Sequence, residues 1–324
     1  MLLAAAGLLT SVPGVAQNKR PLTLQDTCYR VSFGAKVELP QWSADGKALQ
    51  LQGGRWVDAR SGDNVTVDQP SAEKRAVTVR GTELLLDGKE LTSDGTAKRE
   101  AHLSPDGARV SFVRGHDLCV LDVADGKVWP VSSDGSEKLL YGYLDWVYQE
   151  EVYGRGDFQA NWWSPDSRNL AFLRLDEAKV SRFARIDHVP TDGKKPRAAL
   201  VNQRVEVLSD YYPKAGEPNP TVRLGIAAPA ERRVVWVDLA GYDPDVLIVR
   251  VAWTPDSRLI FQVQDRIQTW LDLVVADPAT GKIEKLFRET SKTWVNILEQ
   301  PRWLADGKTF LWLSERSGRK HVYR

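Results

Sequence analysis

Cysteine is scarce in this 324-residue sequence, which contains only two, Cys28 and Cys119. They lie far apart and belong to no C-x-x-C pair, which excludes a disulfide-rich scaffold and a cysteine-based zinc site. Whether the two are bonded to each other stays open at this point. Long apolar runs are missing as well, because no stretch reaches the roughly 20 residues that a membrane-spanning helix needs. The sequence therefore predicts no membrane span.

A strong charge of either sign is also absent, since the formal net charge is +1. Such a balance gives no general attraction to nucleic acid or to anionic lipid, so we expect neither as a partner. The four histidines are scattered. The sequence contains no G-x-S-x-G nucleophile elbow, phosphate-binding loop, dinucleotide fingerprint or H-E-x-x-H pair. We therefore expect no metal, no cofactor and no catalytic residue within this chain.

The chain opens with the apolar stretch "MLLAAAGLLTSVPGVAQNKR". This stretch is too short to cross a bilayer, and it leads to Gly14-Val15-Ala16, a small-x-small pattern that a signal peptidase recognises. We predict a signal peptide over residues 1–16 and export to a bacterial periplasm or the extracellular space. A basic segment before the apolar stretch is missing, so a disordered terminus is the alternative.

One phrase recurs along the remaining residues, 17–324. Each copy has a bulky residue, a four-residue turn related to Pro-Asp-Gly and a run of alternating apolar positions, which together predict strand, turn and strand. The copies are "WSADGKALQL" from Trp42, "LSPDGARVSFV" from Leu103, "WSPDSRNLAFL" from Trp163, "WTPDSRLIFQV" from Trp253 and "WLADGKTFLWL" from Trp303. A second hairpin pattern follows some copies, as in "LCVLDVADGKVWPV" and "WLDLVVADPATGKIEKLF".

Two hairpins in each repeat predict four-stranded sheets, and irregularly spaced repeats of this kind are typical of a β-propeller with insertions. We therefore expect an all-β fold, with about six blades or fewer in this chain. A β-sandwich is the alternative, but it would not repeat one turn signature so often. Helical signal is confined to residues 143–153. The final segment, "SERSGRKHVYR", reads as a turn and the start of a strand, so we expect further blades in the full protein.

The segment "DWVYQEEVYGRGDF", residues 145–158, contains two adjacent glutamates, Glu150 and Glu151, without an evident partner in the sequence. On a helical turn, neighbouring side chains can point into one space, whereas on a strand they point to opposite faces. Two carboxylates side by side match a primary ammonium, which has three donors and no acceptor. A solvated acidic turn is the alternative. The surrounding aromatic residues favour a packed, oriented segment.

Four stretches resemble, in order and spacing, the dipeptidyl peptidase IV family within the prolyl oligopeptidase group of serine peptidases. They read "DWVYQEEVY", "ANWWSPDSRNLAFLRLDEAKV", "YYPKAGEPNPTVRLGI" and "FLWLSERSG". The resemblance, to a bacterial-type member, implies an eight-bladed N-terminal propeller followed by an α/β-hydrolase domain that carries the catalytic triad. Residues 17–324 would then be an incomplete propeller, without that catalytic domain and inactive alone.

The resemblance also implies roles for particular residues. In the family, two glutamates of this segment hold the free α-amino group of the peptide substrate, and they correspond to Glu150 and Glu151 here. Gln149 replaces a preceding family glutamate that does not bind the amine. An arginine on the preceding blade steadies a substrate carbonyl, and Arg114 is our candidate for it.

The implied reaction removes N-terminal dipeptides, preferably Xaa-Pro, from peptides with a free N-terminus. Release of tripeptides remains open, and a homodimer is expected for the full-length protein. The alternative function is a non-catalytic propeller that binds peptides or proteins.

Overall fold

The computed structural model describes residues 41–43, 47–51, 54–67, 75–187 and 206–324. The predicted signal peptide and Cys28 lie outside the described residues. Cys119 lies buried within a strand as a free thiol, and burial raises its pKa to about 11. The chain divides into two compact units, Met1–Glu73 and Lys74–Arg324. No helix among the described residues is long and apolar enough to cross a lipid bilayer.

The smaller unit contains a three-stranded antiparallel sheet. Its strands are β1 (Gln41–Trp42), β2 (Ala48–Gln50) and β3 (Trp56–Asp58). The first copy of the repeated phrase forms the β1–β2 hairpin, in which Trp42 pairs with Leu49. The two antiparallel strands agree with the strands that the phrase predicts, and the residues between them lie outside the described residues.

The larger unit contains, among its described residues, five antiparallel sheets and one separate hairpin. The first sheet comprises β4 (Val77–Arg80), β5 (Glu83–Leu86) and β6 (Lys89–Glu90). The second comprises β7 (Lys98–Leu103), β8 (Arg109–Arg114), β9 (Asp117–Asp122) and β10 (Val128–Pro130). The third comprises β11 (Leu139–Tyr141), β12 (Asn161–Trp163), β13 (Leu170–Asp176), β16 (Thr221–Ala228) and β17 (Arg233–Trp236).

The remaining strands are also antiparallel to the strands with which they pair. The separate hairpin joins β14 (Arg182–Asp187) to β15 (Glu206–Tyr211). The fourth sheet comprises β18 (Leu247–Trp253), β19 (Leu259–Gln264), β20 (Trp270–Ala276) and β21 (Ile283–Thr290). The fifth comprises β22 (Arg302–Trp303), β23 (Phe310–Ser314) and β24 (His321–Tyr323). The short helix predicted within residues 143–153 is present as a π-helix, Tyr148–Val152.

The inner strands of these sheets are buried on both faces, which explains their nearly continuous apolar sequence. Every residue of β19 is buried, and Phe172 of β13 and Phe261 of β19 are among the largest fully buried side chains. Gly225 of β16 has a packing reason to lack a side chain, because a Cβ there would lie 2.3 Å from the Phe172 ring. The close packing of the core therefore requires a small residue, Gly225, opposite a large one, Phe172.

The turn of the repeated phrase is held by its own side chains. In the second copy, the Ser104 hydroxyl donates to Asp106 Oδ1 at 2.6 Å and accepts the backbone N–H of Arg109 at 2.9 Å. The third copy repeats the first of these bonds between Ser164 and Asp166 at 2.6 Å. A hydroxyl residue two positions before an aspartate therefore closes the turn in these two copies, whereas the fifth copy has Leu304 at the hydroxyl position.

The tryptophan of the phrase links one sheet to the preceding sheet. The indole N–H of Trp163 donates to the backbone carbonyl of His102 at 3.1 Å, and that of Trp253 donates to the carbonyl of Trp162 at 3.0 Å. In both cases the acceptor residue directly precedes the first residue of the earlier copy. The phrase thus specifies both a hairpin and its contact with a neighbour, and the prediction of an all-β fold made of hairpin repeats is confirmed.

The inter-sheet bond of Trp253 should contribute measurably to stability. Trp253→Phe removes the indole donor and leaves a carbonyl without its partner, so we expect a loss of about 1 to 2 kcal/mol in the free energy of unfolding. Urea unfolding of the chain measures this loss. Trp294→Phe is the control, because Trp294 is 61% exposed and its substitution should cost less than about 0.5 kcal/mol. Equal losses in both variants would contradict a stabilising role for the inter-sheet bond.

Candidate functional site

The glutamate segment leaves the third sheet from an interrupted edge strand. β11 and β12 are separated in sequence, yet both pair with β13, one along each half of it. The hydrogen-bond ladder continues across the break, because Gly142 N–H donates to the Leu173 carbonyl and Leu173 N–H donates to the Ala160 carbonyl, each at 3.0 Å. Residues 143–160, which we name the acidic insertion, therefore begin and end at neighbouring points of one strand.

A buried asparagine ties the two ends of the acidic insertion together. Asn161 Nδ2 donates to the Gly142 carbonyl at 3.0 Å, and its Oδ1 accepts the hydroxyl of Ser111, in β8, at 2.7 Å. Asn161 is fully buried, so these bonds are shielded from competing water. The base of the acidic insertion is thereby fixed to the neighbouring sheet as well as to its own.

Asp145 fixes the start of the helix in the acidic insertion. Its carboxylate accepts the backbone N–H groups of Val147 at 3.0 Å and Tyr148 at 3.1 Å. These are N–H groups that a helix cannot satisfy from within, so Asp145 performs the usual function of an N-terminal cap. Burial nevertheless raises the pKa of Asp145 to about 6.

The same helix is packed against β18. The backbone N–H of Ile248 donates to the Tyr148 hydroxyl at 3.4 Å, and the Tyr153 hydroxyl donates to the Ile248 carbonyl at 3.3 Å. Arg250 donates to the Val152 carbonyl at 3.0 Å and lies over the Tyr153 ring, 5.5 Å from its centre. The helix is therefore held at both ends by another sheet of the same unit, which confirms that the acidic insertion is a packed segment.

Glu150 and Glu151 occupy consecutive positions of this π-helix, and they differ in exposure. The Glu150 side chain is only 15% exposed, whereas Glu151 is exposed. Glu150 Oε1 accepts Nε of Arg155 at 2.7 Å and also contacts Nη2 of the same guanidinium. The interpretation that the pair lacks a partner in the sequence is therefore wrong for Glu150. Its partner is Arg155, five residues later in the sequence, which a tight turn of the backbone brings close to Glu150.

That turn depends on two glycines and on Gln149. Gly154 and Gly156 have φ values of 126° and 86°, a backbone conformation that other residues rarely adopt. The N–H of Gly156 donates to Gln149 Oε1 at 2.9 Å, and the N–H of Asp157 donates to the Gly154 carbonyl at 2.9 Å. Gln149, which is buried, thus sets the position of Arg155 between the two glycines.

The contacts of Arg114, the candidate for the carbonyl-steadying arginine, lie elsewhere. Arg114 is the last residue of β8, and its Nη1 lies 3.4 Å from Asp94 Oδ2. Among the described residues, no hydrogen bond or ion pair joins Arg114 to Glu150 or Glu151. Its role in binding stays a prediction.

Arg99 also contacts the acidic insertion, and no sequence pattern singles it out. Its guanidinium lies over the ring of Tyr143, 4.8 Å from the ring centre, at the base of the acidic insertion. The strand that carries it, β7, changes register between Arg99 and His102, and Glu100 has a positive φ of 48°. A bulge of this kind re-aims side chains and has no clear sequence signature when glycine is absent.

A second buried carboxyl group, Glu177, lies next to β13. Its backbone N–H donates to the Lys138 carbonyl at 2.8 Å, and its side chain is buried. Burial, followed by the nearby charge of Asp145, raises the pKa of Glu177 to about 8. Within the described part of the chain, no group of three or more His, Cys, Asp or Glu side chains is placed to hold a metal ion.

Comparisons with known proteins agree with this architecture. The family model described as "Dipeptidyl peptidase IV (DPP IV) N-terminal region" matches residues 83–324. "Probable dipeptidyl peptidase 4" of Emericella nidulans is 33% identical over 240 residues, which are 69% of this chain and 29% of that protein. "Probable dipeptidyl-aminopeptidase B" of the same organism is 32% identical over 210 residues, which are 62% and 23% of the two chains. The chain thus spans less than a third of the length of these relatives.

A solved structure shows the same fold. The crystal structure of Porphyromonas gingivalis dipeptidyl peptidase 4 superposes with a TM-score of 0.64 at 23% sequence identity, and the match covers 88% of this chain and 44% of that one. This similarity confirms the predicted propeller architecture.

Glu177 should make the stability of the protein depend on pH. Its pKa is raised from 4.5 to about 8 on folding, so its favourable contribution is complete below pH 4.5 and is lost as the pH rises through 8. Glu177→Gln is neutral at every pH. Relative to the wild type, this variant should therefore be more stable at pH 9 than at pH 5, by at least about 1 kcal/mol.

Urea unfolding at the two pH values measures this difference. Glu284→Gln is the control for removing an exposed carboxylate. A stability difference between Glu177→Gln and the wild type that is the same at pH 5 and pH 9 would contradict the prediction.

Proposed function

The chain belongs to the family of dipeptidyl peptidase IV N-terminal regions, and from this membership we propose that it is the propeller portion of a serine exopeptidase that removes N-terminal dipeptides. We propose further that Glu150 and Glu151 bind the α-ammonium of the peptide. The catalytic triad would lie in the hydrolase domain of the whole protein. Its substrates would be peptides with a free N-terminus, with a preference for Xaa-Pro.

The observation that carries this proposal is the fixed presentation of two consecutive carboxylates. The helix of the acidic insertion is capped by Asp145 and bonded to Ile248 and Arg250 of β18. Such an anchored helix fixes the backbone from which both glutamate side chains extend, which a flexible acidic loop would not do. A solvated acidic turn, the alternative for this pair, does not account for these buried contacts.

The contact between Glu150 and Arg155 supports the choice of a cationic ligand. Guanidinium and ammonium groups both bind carboxylates through charge-assisted N–H bonds, which are roughly twice as strong as neutral ones. Glu150 therefore already binds a nitrogen cation in the free protein. An α-amine has a pKa near 8, so at neutral pH most peptide N-termini are charged and two carboxylates would keep them so.

An anchored N-terminus gives a physical reason for dipeptide release. An extended chain spans roughly 3.3 to 3.6 Å per residue, so the bond after the second residue lies about 7 Å from the first nitrogen. A nucleophile held at that distance would cleave only there, because orientation lowers the barrier for the correctly placed bond. Arg114, whose Nη1 lies 3.4 Å from Asp94 Oδ2, stays our candidate for the arginine that steadies a substrate carbonyl.

The proposed function is tested by Glu150→Gln and Glu151→Gln in the full-length protein. Each substitution removes one negative charge from the amine site, so kcat/KM for dipeptide amides should fall at least tenfold, which is about 1.4 kcal/mol. Steady-state kinetics with Ala-Pro amides measures the effect. Glu284→Gln, an exposed glutamate on β21, is the matched control and should leave kcat/KM unchanged.

The N-acetylated form of the same substrate completes the test. It lacks the positive charge, so it should be a poor substrate for the wild type, and the two glutamine variants should lose nothing further with it. Unchanged kinetics in both variants would remove the pair from the site. If a folded full-length protein shows no peptidase activity but still binds peptides, the non-catalytic propeller would be the correct alternative.

A further inference from the structure

The ion pair between Glu150 and Arg155 joins a carboxylate that cannot move far to a cation that can. The Arg155 side chain is 84% exposed, whereas the Glu150 side chain is 15% exposed and belongs to a helix fixed by buried contacts. Ion pairs with an exposed partner contribute little to stability, because water and salt screen them. A better-matched cation could therefore take the carboxylate from Arg155 without disturbing the fold.

The position of Arg155 is nevertheless specified by the surrounding sequence. Gly154 and Gly156 provide the positive φ angles of the turn, and the Gly156 N–H is bonded to the buried side chain of Gln149. These features return the chain towards the helix that it has just left. Arg155 is therefore delivered to Glu150 by the backbone, and its contact is not a chance meeting of long side chains.

The two hydrogen-bond contacts of the Arg155 guanidinium involve only one of the two glutamates, Glu150. Both involve the same oxygen, Glu150 Oε1. The hydrogen bond and charge of Glu150, and then the charge of Glu151, raise the pKa of Arg155. An ammonium group has three donors around one nitrogen, so it can bond both carboxylates at once, which the planar guanidinium does not do here.

We propose that Arg155 is a resident counter-cation of the amine site, which occupies Glu150 in the free protein and must be displaced by the N-terminal ammonium of the peptide. This inference rests on the proposed function of the two glutamates. Arg155 then sets the affinity of the site, because every ligand competes with it. Small cations that bond a single carboxylate gain too little to displace it, so the site favours an amine that spans both glutamates.

The test compares Arg155→Gln with the wild type in the full-length protein. Removing the competitor should lower the KM for an Ala-Pro amide substrate about two- to fivefold without changing kcat, since solvent screens an exposed ion pair and keeps it weak. The inhibition constant of methylammonium chloride should fall as well, by at least the same factor. Arg155→Lys keeps the charge and should give values between the two.

Arg258→Gln is the matched control. Arg258 forms an ion pair of the same kind with Asp256, at 3.0 Å and 48% exposure, in the β18–β19 hairpin. Its substitution removes one positive charge from the protein but none from the amine site, so KM should stay unchanged. Thermal unfolding of all variants checks that none has lost its fold.

The outcomes separate this inference from the proposed function. In a Glu150→Gln background, Arg155→Gln should have no further effect on KM, because the carboxylate for which it competes is gone. A raised KM in Arg155→Gln alone would show that Arg155 orders Glu150 and does not compete for it. An unchanged KM would also overturn the inference, while the effects of Glu150→Gln and Glu151→Gln would still stand. Unchanged kinetics in those two glutamine variants would overturn both.

Discussion

The pairing of two short strands with one long strand is the constraint on which the candidate site depends. β11 and β12 pair with successive parts of the same edge of β13. The acidic insertion between them, residues 143–160, must therefore leave the sheet and return to it. Asn161 then bonds both ends of that segment, and β18 holds its helix. The backbone positions of Glu150 and Glu151 are thereby set by strand register and not by the preferences of a free loop.

Much of this fold could be predicted from the sequence because its repeated phrase carries local information. In the second, third and fourth copies the turn is closed by a hydroxyl and an aspartate, as in Ser104 and Asp106, and the flanking apolar alternation defines the strands. The sequence also confines helical signal to residues 143–153, where the helix lies. Local sequence patterns are therefore sufficient to predict the strands, the turns and the short helix.

The remaining features depend on contacts that a linear pattern does not show. The partnership of Glu150 with Arg155 requires two positive φ angles and a bond to Gln149, and an arginine five residues away does not by itself indicate it. The burial of Glu177 follows from packing around the third sheet. Arg99 reaches Tyr143 only because β7 contains a bulge. In each case the cause lies in tertiary structure, which decides where a charged side chain is directed.

The indole bonds between sheets also have a consequence for how such a sequence can vary. Trp163 and Trp253 supply the donors, but the acceptors are main-chain carbonyls, contributed here by His102 and Trp162. Any amino acid provides that carbonyl, so substitutions at the acceptor position preserve the bond, whereas the donor position tolerates few replacements. Where a repeat carries the tryptophan, the bond should therefore survive divergence of the acceptor residue more readily than replacement of the donor.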